Sequence, residues 1–208
     1  MEATNDKRLR IGDSAEMGKK LSEMSLEELW QLFPIYLTEH NECWSAWYVE
    51  EESYLKDRLP ADRIKRISHI GSTAIKGIWA KPIIDILVEV TPESDLQQVK
   101  PIIEKAGYLC MSEGSERLSF NKGYTENGFA ERVFHLHLRK VGDNDELYFR
   151  DYLNAHSDVA EEYEKLKLSL WKQYEHNRDG YTERKTAFVK EYTQKSKEEF
   201  ENRYTRLK

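Results

Sequence analysis

The chain has 208 residues, 39% hydrophobic and 34% charged, with a net charge of −6. That length supports one domain with a substantial core. The acidic balance, with no basic block to offset it, argues against a general nucleic-acid binder but leaves room for one basic pocket around a small phosphate-bearing ligand.

No run approaches the roughly eighteen apolar residues of a membrane span. Residues 1–20 lack the apolar stretch of a secretory signal and read as a poorly ordered segment. Cys43 and Cys110 form no C-x-x-C unit, so the expectation is a cytoplasmic protein with two unpaired thiols and no membrane association.

The ordered part, 21–208, reads as a single domain with a core of about 60–145 and C-terminal helices over about 146–205. Ser25 has Glu28 three residues on, the capping-box spacing, and Leu26, Leu29, Trp30 and Phe33 follow at helical intervals until Pro34. A second helix is predicted from about Asn41 to Leu59. "IKRISHI" reads as a strand, Gly71-Ser72-Thr73 as a turn into a short helix or loop, and "PIIDILVEV" as the clearest strand of the chain. Ser94 to Ala106 has helical spacing, with Gly107 as the stop. "YLCM", "RLSFNKGY" and "ERVFHLHLRK" are predicted strands, the last two paired as a hairpin. From Asp145 onward the pattern is helical. Val159, Tyr163, Leu166, Leu170 and Tyr174 mark one face of a helix starting near Ser157. Gly180 reads as the end of a linker, before a last helix carrying Phe188, Tyr192, Phe200 and Tyr204.

Alternation on "PIIDILVEV" puts Ile84, Ile86, Val88 and Val90 on one face and Asp85, Leu87 and Glu89 on the other. An unpaired carboxylate among such neighbours is costly, so Asp85 requires a lysine, an arginine, a histidine or a metal nearby. Its plain role is a buried ionic anchor, and its functional role a ligand or catalytic group. Backbone amides and hydroxyls at Gly71, Ser72 and Thr73 make an anion site where they open a helix. Lys81 adds charge there, whereas Lys76 reads as solvated surface. His135 and His137, two apart on one strand, point the same way with Cα atoms about 7 Å apart, close enough to meet one metal or one ligand. No Walker loop, G-x-G-x-x-G or G-x-S-x-G is present.

The blocks "HIGSTAIKGIWAKPIIDILVEV", "HLHL", "YFRDYLNAH", "YEKLK" and "YTERKTAFV", in this order from about Lys65 to Val189, resemble the GrpB family, also called UPF0157. The resemblance implies an α+β (α/β) fold of the nucleotidyltransferase, polymerase β-like kind: a mixed sheet flanked by helices, with N-terminal helices and a helical C-terminal part. It also implies a Gly-Ser turn (Gly71, Ser72) on the phosphates and a metal-binding carboxylate at Asp85. The family's occasional fusion to dephospho-CoA kinase implies a nucleotide- or CoA-linked role.

The chain departs from that superfamily at one place. Two carboxylates two residues apart share divalent ions in phosphoryl transfer, and the partner position here is Leu87. Glu89 lies about 13 Å from Asp85 along the strand, too far to replace it. Three readings stay open. One is a module binding a nucleotide or other phosphate-bearing small molecule, such as an NTP or CoA-related compound, without turnover. The second is an active nucleotidyltransferase, with Asp85 catalytic and Asp85, His135 and His137 holding Mg, Mn or Zn. The third is a metal-dependent hydrolase built on the histidine pair. In the first two, Gly71, Ser72, Thr73, Lys81 and Arg150 are the candidate phosphate ligands.

Overall fold

The computed structural model describes residues 19–201, 203 and 204. The segment 1–20 expected to be poorly ordered lies outside these residues apart from its last two positions. The described residues form six α-helices and one five-stranded sheet. The strands are β1 (Ile64–Ile70), β2 (Ile84–Val90), β3 (Leu109–Glu113), β4 (Arg117–Thr125) and β5 (Gly128–Lys140). The helices are α1 (Leu26–Leu32), α2 (Cys43–Lys56), α3 (Leu96–Lys105), α4 (Asp145–Ala155), α5 (Ser157–Trp171) and α6 (Arg178–Glu199). The strand order is β1-β2-β5-β4-β3. β2 and β5 run parallel, while the β1–β2, β4–β5 and β3–β4 pairs are antiparallel. The architecture is α+β with a mixed sheet, in accord with a nucleotidyltransferase-like fold. No described helix is long and apolar enough to cross a membrane.

Local chemistry accounts for the element ends. Ser25 caps α1 reciprocally: its hydroxyl accepts from the Glu28 N–H at 3.2 Å, and the Glu28 carboxylate accepts from the Ser25 N–H at 2.6 Å. Asp95 caps α3 through the Gln97 N–H.

The two faces of the sheet have different covers. Ile84, Ile86, Val88 and Val90 of β2, with Phe120, Leu136 and Leu138, pack under Trp44 and Leu55 of α2 and Leu96, Val99 and Ile103 of α3. Fully burying each such aliphatic side chain contributes about 1.5–3 kcal/mol, so this layer dominates stability. On the opposite face Ile70 and Leu87 meet Leu147 of α4 and Tyr204. Beyond them, Phe149, Leu153, Val159 and Tyr163 join α4 to α5, and Phe188, Val189 and Tyr192 of α6 pack against that cluster.

Two sequence expectations are corrected. Gly180 does not end a linker; it lies in the first turn of α6, where the Asn177 side chain accepts its N–H at 2.8 Å. The Tyr174 ring packs so closely that a Cβ at Gly180 would lie 2.8 Å from it, which explains the glycine without any break in the helix. Phe200 and Tyr204 are not within the last helix, which stops at Glu199 with Phe200 as its C-cap. The chain turns back there and sets the Tyr204 ring edge-on to Tyr148, with centroids 5.1 Å apart.

Glu89 belongs to this packing and not to a site. Its side chain is fully buried and takes Arg66 Nε at 2.6 Å on Oε2. The Gly142 N–H and Asn144 Nδ2 donate to Oε1 at 3.2 and 3.0 Å. Glu89→Ala leaves a guanidinium and an amide without their acceptor. The expected cost is about 3–5 kcal/mol, read as a lower urea midpoint at unchanged slope; a midpoint equal to that of the wild type would contradict this account.

Candidate active site and ligand cavity

The turn and the strand acid are one unit. β1 ends at Ile70, paired with Asp85, and Gly71 then takes φ 71° before a 3-10 turn over Ser72–Ala74. A Cβ at Gly71 would lie 2.3 Å from Asp85 Oδ2. The carboxylate therefore packs on the bare backbone of the turn, and any side chain there meets both a collision and an unfavourable φ. Thr73 is buried and donates its hydroxyl to the Ile83 carbonyl at 3.1 Å. Its oxygen then accepts from His69 Nε2 at 3.0 Å, so His69 carries its proton on Nε2. Burial pushes the His69 pKa down to about 4, with Arg150 adding to the effect and Asp85 opposing it; a neutral ring, stacked on Tyr48, clamps the turn at physiological pH.

The parallel register sets Asp85 opposite His135 and Leu87 opposite His137. Both imidazoles face one carboxylate oxygen: His135 Nδ1 is 3.3 Å and His137 Nε2 3.6 Å from Asp85 Oδ1. Arg178 donates to the Tyr124 hydroxyl at 3.2 Å, and that hydroxyl lies 2.8 Å from His135 Nε2. An ionised Asp85 beside Nδ1 can only accept, which places the His135 proton on Nδ1 and leaves Nε2 to accept from the Tyr124 hydroxyl. Burial works to raise the Asp85 pKa, but His135 and His137 outweigh it and hold the carboxyl well below the usual carboxylate range. Burial lowers the His135 pKa against the pull of Asp85. The acid is thus ionised at neutral pH.

This donor set does not fit a metal ion held by the protein alone. Leu87 is fully buried where a second carboxylate would stand. Asp85 Oδ1 is faced by both imidazoles, and Oδ2 is packed on Gly71. His135 has its other nitrogen on Tyr124. Among the described residues no three His, Cys, Asp or Glu side chains are arranged to hold a metal.

A cavity of about 590 Å³ opens beside this unit, between the sheet and α4, α5 and α6. Gly71, Ser72, Thr73, Lys81, Asp85 and His135 line one wall, and Lys167, Tyr181 and Lys185 belong to the helical wall. Phe149, Tyr163 and Val189 supply apolar surface. Burial pushes the Lys81 pKa down to about 7, helped by repulsion from Lys185 and Arg178 and opposed by Asp85. Lys167 is also pushed down to about 7, by burial and then Lys185, with Glu164 opposing.

The structure thus brings together on one cavity wall six of the eight residues singled out from the sequence. His137 reaches Asp85 from behind that wall. Arg150 lies apart: its guanidinium donates to the His69 carbonyl at 2.7 Å and to the Tyr204 hydroxyl at 3.0 Å, and it pairs with Asp151. Lys76 is exposed and lines a separate groove. Tyr124, Lys167, Arg178, Tyr181 and Lys185 were not singled out. Tyr124 reaches His135 through a bulge at Gly123 (φ 91°), where the β4–β5 register shifts between Lys122 and Tyr124. The other four come from helices whose placement over the sheet no local signal announces.

The family model described as "GrpB protein" matches residues 34–195. The glutamate-rich protein GrpB of Alkalihalophilus pseudofirmus is 38% identical over 165 residues, covering 76% of this chain and 92% of that protein. The UPF0157 protein YqkA of Bacillus subtilis is 32% identical over 177 residues, 82% of this chain but only 50% of its own length. A crystal structure of the conserved protein GrpB from Enterococcus faecalis superposes with a TM-score of 0.68 at 29% identity, covering 79% of this chain and 99% of that one. On the match across residues 34–195, the chain belongs to the GrpB family.

Proposed function

We propose that the cavity binds a phosphate-bearing small molecule, a nucleotide or CoA-related compound, without a two-metal catalytic centre. One observation carries the reading: the Gly71-Ser72-Thr73 turn and the ammonium groups of Lys81, Lys167 and Lys185 line the same cavity. Backbone amides, hydroxyls and ammonium groups together match the donor needs of phosphate oxygens. The apolar wall of Phe149, Tyr163 and Val189 suits a base or another uncharged moiety. Asp85 positions the turn from beneath, with Leu87 in place of the second metal-binding acid. A functional link to dephospho-CoA kinase enters this reading through CoA-related ligands.

The first test is thermal unfolding with inorganic phosphate, NTPs, CoA and dephospho-CoA, each with and without Mg, Mn or Zn. A ligand present at a hundredfold excess over its Kd adds about 2.7 kcal/mol to stability. The expected result is stabilisation that does not require metal. Ser72→Ala leaves the unliganded midpoint unchanged and weakens binding by about fivefold, the value of one hydrogen bond. A shift that needs nucleotide and metal together, and is lost in Asp85→Asn, would replace this reading with a working transferase.

Affinity also depends on pH, through the lysines. An anion requires both Lys81 and Lys167 charged, and in the unliganded protein each loses its proton near pH 7. Binding above that pH takes up protons, so affinity is highest below pH 7 and falls by up to about tenfold per pH unit for each lysine above it. Calorimetric titrations in two buffers of different ionisation enthalpy count the protons taken up. Constant affinity from pH 6 to 9 would refute the role given to these lysines.

A further inference from the structure

Chain ends are poorly ordered unless something ties them down, and Tyr204 is tied down at every group it has. Its N–H donates to the Tyr148 hydroxyl at 3.2 Å, and its carbonyl accepts from Asn144 Nδ2 at 3.4 Å. Its ring packs on Ile70, Leu87 and Leu147, with the Arg66 guanidinium 4.8 Å from the ring centroid. Its hydroxyl donates to Asp151 Oδ2 and accepts from Arg150 Nη2 at 3.0 Å. Arg203 adds a second cation to Asp151 at 3.2 Å.

Arg150 carries this anchorage to the site. Its Nε donates to Asp151 Oδ1 at 2.8 Å, its Nη2 to the Tyr204 hydroxyl, and its Nη1 to the His69 carbonyl at 2.7 Å. Only a rigid, planar fork reaches three such acceptors at once. β1 is an edge strand, and His69 stands two residues before Gly71. His69 is therefore gripped twice, at its ring by Thr73 and at its carbonyl by Arg150. The turn and Arg150 lie within the residues matched by the family model, 34–195, whereas Tyr204 lies beyond them.

We infer that the chain end at Tyr204 is a strap that positions the Gly-Ser-Thr turn, acting through the Arg150 guanidinium on the His69 carbonyl. Tyr204 and Arg150 are positioning residues, and neither lines the cavity. Drawing Tyr204 from its seat frees Arg150 to swing toward Asp151 alone and loosens the entry to the turn. The consequence for ligand binding rests on the phosphate-ligand reading above; the mechanical coupling does not.

The test is amide hydrogen exchange by NMR on the full-length, unliganded protein. The reporters are the Ala74 and Ile75 amides, whose bonds to the Gly71 and Ser72 carbonyls close the turn; the amides of α3, across the sheet, are the control. Tyr204→Phe keeps the ring and removes only the hydroxyl. It speeds exchange at Ala74 and Ile75 by about fivefold, the value of one hydrogen bond, and leaves α3 within about twofold, since local opening is reported separately from global unfolding. Arg150→Lys, which keeps the charge and loses the fork, speeds the same two amides at least as much. In the Arg150→Lys background Tyr204→Phe adds less than about twofold, because both changes break one connection. Unchanged turn amides in Tyr204→Phe, or equal acceleration in α3, would overturn the strap. Fully multiplying effects in the double variant would overturn the route through Arg150. Should Arg150→Lys fail to fold, Tyr204→Phe alone decides. No ligand enters the measurement, so a phosphate titration without binding would remove the phosphate-ligand reading and leave this one standing.

Discussion

The contact between the Asp85 carboxylate and the backbone of Gly71 organises the rest of the site. It joins the end of β1 to the start of β2 and takes up the space of a side chain, which a Cβ 2.3 Å from Oδ2 would fill. The ion is kept charged by two imidazoles that β5 presents in register. It leaves the Gly-Ser-Thr turn facing the cavity with its carboxylate underneath. His69 and Thr73 hold the other end of the turn through a hydrogen-bond relay to the Ile83 carbonyl. Rigid support of this kind gives a turn the fixed geometry that ligand recognition needs.

Charge is distributed in layers around that unit. Asp85 is engaged from the sheet side by the imidazoles of His135 and His137, and its charge only partly offsets the effect of burial on Lys81. Burial and mutual repulsion bring Lys81 and Lys167 near the point of losing their protons. A site arranged in this way destabilises its own unliganded, fully charged state and is relieved by an anion. The position where a metal-binding carboxylate would stand is instead a buried leucine in contact with Ile70 and Leu147. The physics of the strand there is that of a core, while Lys167 and Lys185 reach the cavity from the helices.

Much of the frame was legible because it follows from local rules. The Ser25–Glu28 capping box, the two-faced β2 strand and the hairpin of β4 with β5 depend on residues close in sequence and on period-two alternation. Gly180 misled because a glycine between polar residues has the same local signature as a loop; only the Tyr174 ring pressed against it reveals a packing role. Tyr204 misled because helical spacing does not register where a helix stops. Tyr124 was hidden by a bulge, which inverts side-chain direction without changing composition.

The sequence by itself determined the core faces, the Gly-Ser-Thr turn, the lone strand carboxylate and the histidine pair, because alternation and turn chemistry are properties of neighbouring residues. The tertiary structure decided which of these meet. The parallel pairing of β2 with β5 carries His135 and His137 to Asp85. The packing of α5 and α6 over the sheet brings Lys167, Tyr181 and Lys185 to the cavity from more than eighty positions along the chain. Electrostatic strength depends on burial and on distances through space, and neither quantity is written in the order of the residues.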